Sequence, residues 1–135
     1  MQHLNKRSVG LLIALALCGC PQGSKTIALD LSSGVIDLAQ QLPGAWTKVC
    51  LLPPYTNNQS AQQLLGFAYD VESNSTIASA DDISLLLTMS ETEVLNSYAI
   101  DRSKADFSSL GANCYTREEA TFTLPKESAP AVSHP

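Results

Sequence analysis

The segment that most constrains this chain is its first twenty residues. Lys6 and Arg7 precede an apolar run over residues 9–17, and the segment closes on Leu17-Cys18-Gly19-Cys20. A basic end, a short apolar stretch and a small residue form, in that order, a secretory signal. The run is far shorter than the roughly 20 apolar residues that cross a bilayer. The fold is therefore expected to be built from the residues beyond this segment, in a compartment where cysteines oxidise.

The peptidase that removes such a signal takes a small residue just before the cut. Gly19 precedes Cys20, whereas bulky Leu17 precedes Cys18. Leu17, Gly19 and Cys20 resemble the lipobox of the bacterial lipoprotein family; Cys18 departs from it, because Ala or Ser is commoner there. The resemblance implies that residues 1–19 are a signal peptide. It also implies that Cys20 opens the mature chain with a diacylglycerol thioether and an N-linked acyl chain such as palmitate. Two or more chains anchor stably where one is marginal, so the bilayer becomes a partner through Cys20. Pro21 stands where enterobacterial lipoproteins kept at the inner membrane carry Asp. The family pattern thus implies the outer membrane, facing the periplasm. The periplasmic face of the inner membrane is the alternative, and simple cleavage to a soluble periplasmic protein is the other.

Of four cysteines, Cys18 then leaves with the signal and Cys20 is acylated, so Cys50 and Cys114 remain. In an oxidising compartment two leftover cysteines are expected to form a disulfide. Closing a loop of that length stabilises a fold by about 4 kcal/mol in the chain-entropy model. The pair is not a CxxC motif, and the only His after Cys20 is His134. A zinc site would lack ligands, and neither a metal nor a cofactor is expected. A redox-active thiol needs an electropositive neighbourhood; Lys48 and Arg117 are near in sequence, in a chain that is acidic as a whole.

All thirteen Asp and Glu follow Cys20, while two of the eight Lys and Arg precede it, leaving six bases against thirteen acids and a formal charge of minus 7. Nucleic acid is disfavoured as a partner, since phosphate binding draws on clustered Lys and Arg. An acidic balance suits a basic protein partner, and it also simply keeps a small domain soluble.

Residues 20–30, with Pro21, Gly23 and Ser24, are expected to form an acylated tether that lets the domain stand off the membrane. Residues 126–135 carry Pro130 and Pro135 with little to bury, and a disordered tail is expected there. Residues 31–125 then form a single domain, enough for one core and too few for two.

Within it, Val35, Ile36, Leu38, Ala39 and Leu42 fall at helical spacing, so a helix is expected over 33–42, stopped by Pro43-Gly44. Trp46-Thr47-Lys48-Val49-Cys50-Leu51-Leu52 reads as a central strand, ended by Pro53-Pro54. Ser60-Ala61-Gln62-Gln63 fits a capping box, opening a short helix that ends near Gly66. Phe67, Tyr69 and Val71 alternate with polar residues, as a strand does. Ile83, Leu85, Leu87 and Met89, a loop over 90–93, then Val94, Asn96, Tyr98 and Ile100 read as a β-hairpin. A short helix is expected over 103–110 with Gly111 at its C-terminus. Cys114 and Tyr115 come next in an extended segment, and Ala120, Phe122 and Leu124 mark a last strand. The expected class is α+β: a small antiparallel sheet of four to five strands, short helices on one face, one disulfide.

Catalytic motifs are sparse. Asp81-Asp82, Glu91 with Glu93, and Glu118-Glu119 are acidic pairs at expected turns and strand ends, where solvated charge is the ordinary reading. There is no GxSxG, no HExxH and no glycine-rich phosphate loop, so an enzyme is not expected. The sequons at Asn58 and Asn74 carry no meaning behind a bacterial lipobox. Aromatic anchors dominate protein interfaces, and Tyr55, just after Pro53-Pro54, is the aromatic residue placed for exposure and the candidate binding residue.

Trp46-Thr47-Lys48-Val49-Cys50, Pro54-Tyr55, Leu65-Gly66-Phe67 and Cys114 together resemble small bacterial lipoproteins of unassigned function, some described as immunity lipoproteins of type VI secretion. The resemblance covers residues 46–115 and implies a lipid-anchored periplasmic protein that binds another protein, as an immunity or inhibitor factor. A structural accessory lipoprotein of an envelope assembly or secretion complex is the alternative. A hydrolase built on shared carboxylates is a third class, and requires an acidic cluster in a concave pocket.

Overall fold

The computed structural model describes residues 23–124. The expected signal peptide, Cys20 and the tail over 126–135 lie outside the described residues. No helix among those described is long and apolar enough to cross a membrane.

The alternation over 83–101 does what period-two patterning dictates. Strands β4 (Ile83–Met89) and β5 (Val94–Asp101) form an antiparallel hairpin, closed by Ser90 donating its N–H to Glu93 O at 3.0 Å. The register shifts by one residue at its start, where Val94 opposes Met89 and Asn96 opposes Thr88. Leu95 is the extra residue and stands exposed. Strand β3 (Lys48–Leu52) pairs with β4 on one side and with β6 (Asn113–Thr116) on the other. Its last four residues are all buried, as expected of an inner strand with both faces covered.

A fifth strand, β1 (Lys25–Thr26), adds parallel to β5, giving the order β1-β5-β4-β3-β6. Two residues with both side chains exposed carry no periodic signal, and this strand falls where a free tether is expected. Ser24 further donates its backbone N–H to Asn74 O at 3.0 Å, and Ile27, Leu29 and Leu31 pack against the core. The residues from Ser24 to Leu31, where a free tether is expected, are thus held on the fold.

The class is α+β, as expected, with one disulfide. Two particulars differ: β1 makes the sheet mixed, and the helices lie on both faces. On the first face Val49, Leu51, Leu86, Tyr98 and Ile100 meet Trp46, Phe107, Phe122 and the four-residue helix α1 (Leu38–Gln41). On the second, Cys50, Leu52, Leu85, Leu87 and Met89 meet α2 (Asn58–Leu65) and α3 (Val71–Asn74) through Ala61, Leu64 and Val71, with Ile77 from the turn that follows.

Where a helix is expected over 33–42, the chain instead runs as β2 (Val35–Asp37) into α1. Gly34 takes a left-handed φ of 76°, and the β-branched pair Val35-Ile36 suits extended backbone. Strand β2 finds a partner in β7 (Thr121–Thr123), a separate two-stranded ribbon lying over the first face. Asp37 then starts a single helical turn by accepting from Ala39 N at 3.0 Å.

The N-cap of α2 is Asn57, whose side-chain Oδ1 accepts from Ser60 N at 2.9 Å, so the helix opens before the expected capping box. It closes on Gly66 at φ 81°, a conformation that glycine adopts without steric cost. The expected strand through Phe67, Tyr69 and Val71 is instead a loop leading into α3. Asp70 Oδ1 accepts from Ser73 N at 3.0 Å, and Asn58 Oδ1 accepts from Glu72 N at 3.1 Å. Side chains thus satisfy the backbone that a ladder would otherwise use. The alternation still marks the apolar side, since all three residues pack into the second cluster. The helix expected over 103–110 shrinks to one 3₁₀ turn (Ser108–Leu110), with Gly111 after it at φ 66°.

Candidate functional site

The sheet has two poles, about 20 Å apart by the seven-residue length of β4. One carries the hairpin loop over 90–93; the other carries the end of β3 and the start of β4. Tyr55 is at the second. Pro53 and Pro54 carry the chain off β3, and Tyr55 takes a left-handed φ of 64°, alone among the described non-glycine residues. That conformation costs a non-glycine residue about 1–2 kcal/mol and is held from both sides. Tyr55 donates its N–H to Ile77 O at 2.8 Å, and the buried Thr56 donates Oγ1–H to Pro53 O at 2.6 Å. The ring is left 62% exposed, the most open of the large apolar side chains described.

At the same pole sits the one side-chain ion pair among the described residues. Arg102 reaches Asp106 through Nε and Nη2, both at 3.2 Å, and donates Nη1–H to Asp81 O at 2.6 Å. The guanidinium, followed by the Ser108 hydroxyl, holds the Asp106 carboxyl well below the usual range, at about 2. Arg102 is itself pushed up, first by Asp106, and the Tyr55 phenol lies within electrostatic reach of it. A fixed aromatic ring and a braced guanidinium at one pole are residue types that protein interfaces favour.

The acidic pairs do not converge. Asp81 and Asp82 lie in a turn at the Tyr55 pole, while Glu91, Glu93, Glu118 and Glu119 lie in other turns, and all six are exposed. Asp81 enters the Arg102 cluster through its backbone oxygen, not its carboxylate. Among the described residues no three His, Cys, Asp or Glu side chains are grouped to hold a metal ion.

Cys50 and Cys114 are bonded to each other, as expected. They are direct cross-strand partners on β3 and β6, with Cα atoms 4.0 Å apart, and face the second cluster. Met89 Sδ lies 3.3 Å from Cys50 Sγ, a packing contact because a bridged sulfur carries no proton. Arg117 does not serve these sulfurs. It donates to Gly44 O, Trp46 O and Ala39 O at 3.0–3.1 Å and stacks 4.6 Å above the Trp46 ring. Its proximity to Cys114 in sequence is misleading, because Arg117 lies in the turn past the end of β6 and its side chain is held by backbone on the opposite face.

At the hairpin pole an open cavity of about 250 Å³ lies between Gly23, Lys25, Tyr69, Asn74 and the first residues of β5. Burial pushes the Tyr69 phenol up, while a hydrogen bond with Ser97 acts the other way. Lys25 Nζ donates to Asn96 Oδ1 at 2.6 Å, and the Ser24 and Ser97 hydroxyls are 2.9 Å apart. No sequence signal marks this cavity, because β1 itself is not legible in the sequence.

No protein-family model matches the chain, and no curated protein or solved structure matches it.

Proposed function

We propose that this chain is a bacterial lipoprotein, tethered through acylated Cys20 to the outer membrane and facing the periplasm, which acts by binding another protein rather than by catalysis. An immunity or inhibitor factor is the role that the sequence resemblance favours. The observation that carries this reading is the order Leu17-Cys18-Gly19-Cys20 behind a short apolar run with a basic start. The oxidised pair Cys50–Cys114 suits export. Exposed Tyr55, on a backbone braced by Ile77 and Pro53, supports the Tyr55 pole as the binding surface.

Two measurements test it. Cys20→Ser is expected to abolish incorporation of labelled fatty acid in the native host; continued labelling assigns the anchor to another residue. Affinity capture from the native envelope with the acylated full chain is expected to yield one stoichiometric protein, with Tyr55→Ala weakening its binding by about 10-fold or more. Capture of an integral membrane complex would favour the accessory reading. Binding unchanged by Tyr55→Ala would remove this surface.

A further inference from the structure

We infer that the hairpin pole of this domain rests on the membrane surface and that the Tyr55 pole faces away from it. The inference rests on the acylation of Cys20 proposed above and on where the chain leaves the fold. Three peptide links separate Cys20 from Gly23, and fully extended they span about 11 Å at most. The tether is therefore too short to let the domain stand off the bilayer.

The direction of departure is fixed as well. Because β1 runs parallel to β5, with Lys25 opposite Tyr98 and Thr26 opposite Ala99, the chain before Lys25 heads toward the start of β5 and its hairpin loop. Ser24 is pinned on two sides, by its N–H to Asn74 O at 3.0 Å and by its hydroxyl 2.9 Å from Ser97 Oγ. Lys25 is held to Asn96 at 2.6 Å. Gly23 then lines the cavity with Val94, Leu95 and Asn96. Acyl chains on Cys20 would thus enter the bilayer beside this pole.

The side chains there suit the headgroup layer rather than the hydrocarbon. Lys25 offers a cation to lipid phosphate, and Leu95, 37% exposed at the bulge, offers one apolar contact. Glu91 and Glu93 in the hairpin loop, with Glu118 and Glu119 in the turn after β6 at the same end of the sheet, oppose deeper insertion. The cavity beside Gly23 and Lys25 lies next to the point where the chain leaves the fold, while Tyr55, some 20 Å further out along β4, stays accessible.

The test uses the acylated full chain in vesicles of phosphatidylethanolamine and phosphatidylglycerol with a headgroup-attached quencher. A single fluorophore is placed through Thr92→Cys in the hairpin loop or through Asp82→Cys at the opposite pole, both exposed positions. The Thr92 label is expected to be quenched several-fold more than the Asp82 label. Equal quenching in protein that intact mass shows to be acylated would overturn the orientation and leave the lipoprotein reading standing. An unacylated mass, with neither label quenched, would end both. Inserting eight Gly and Ser residues between Cys20 and Gly23 adds roughly 15 Å of flexible reach and is expected to erase the contrast. A contrast that survives the insertion would overturn the short tether as its cause.

Discussion

The buried centre of the second face of the five-stranded sheet is aliphatic and sulfur-rich, with Leu52, Leu85, Leu87 and Met89 around the Cys50–Cys114 bridge and under α2 and α3, while Phe67 and Tyr69 are only partly buried against it. The first face is aromatic. Phe122 packs edge-on against Phe107 at 6.1 Å and Tyr115 at 4.9 Å, while Trp46 lies beneath the Arg117 guanidinium. The helices that cover the second face are too short to be stable alone, and a covalent link fixes the strand pair below them. The first face is covered by a three-residue ribbon and a single helical turn, and a cation gathers the backbone around them. One side is thus secured by a bond that cannot form in reducing surroundings, the other by contacts indifferent to redox state.

Breaking the sulfur side is expected to have the largest effect. Cys50→Ala removes a link across 64 residues, about 4 kcal/mol of loop-closure entropy. For a domain of about a hundred residues that lowers the melting temperature by at least about 10 °C. Calorimetry of oxidised and reduced wild type beside the variant checks it. Reduced wild type and variant should melt close together, and a variant as stable as the oxidised protein would show that the second face holds without its bond.

The first face has no covalent counterpart, so Arg117→Ala comes next. Three charge-assisted hydrogen bonds to carbonyls and a stacked indole are lost, at a cost of about 2–3 kcal/mol. Arg117→Lys is expected to recover less than half, because a single ammonium does not reach three carbonyls that a planar fork spans. Urea unfolding of the three proteins measures this. A loss below about 0.5 kcal/mol for Arg117→Ala would show that the ribbon and α1 hold themselves.

The two faces are unequally legible in the sequence. The hairpin is plain because Ile83, Leu85, Leu87 and Met89 alternate over a full strand, and Cys50 with Cys114 is plain because the expected lipobox accounts for the other two cysteines. The first face is not. Its cover is made by Val35 and Ile36, whose spacing with Leu38 and Leu42 mimics a helix until Gly34 and the distant partner β7 impose extension. Arg117 gives no signal either, since a side chain that bonds to backbone carbonyls leaves no residue pattern. At the candidate site, the exposure of Tyr55 is legible from the two prolines before it. Its neighbours Arg102 and Asp106 are not, because only the hairpin geometry brings residues about 50 apart to one pole. The short β1 strand and its cavity stay hidden because two exposed residues carry no period.

The smallest expected effect bears on why the first face needs its clamp. Strand β4 turns Leu85, Leu87 and Met89 to the second face, and Ser84, Leu86 and Thr88 to the first. Ser84 Oγ and Thr88 Oγ1 are buried with no hydrogen-bond partner among the described residues. A buried hydroxyl without a partner costs about 1–3 kcal/mol relative to one that is bonded. The first face therefore begins from a deficit that the aliphatic second face does not carry. Thr88→Val keeps the shape and the β-branch while removing the hydroxyl, and is expected to stabilise by up to about 1 kcal/mol in urea unfolding with an unchanged slope. In the Arg117→Ala background the same gain should persist, since Thr88 shares no hydrogen-bond partner with Arg117. A loss of stability in Thr88→Val would mean that the hydroxyl is bonded in solution, and the chemical contrast between the faces would narrow to their aromatic content and the disulfide.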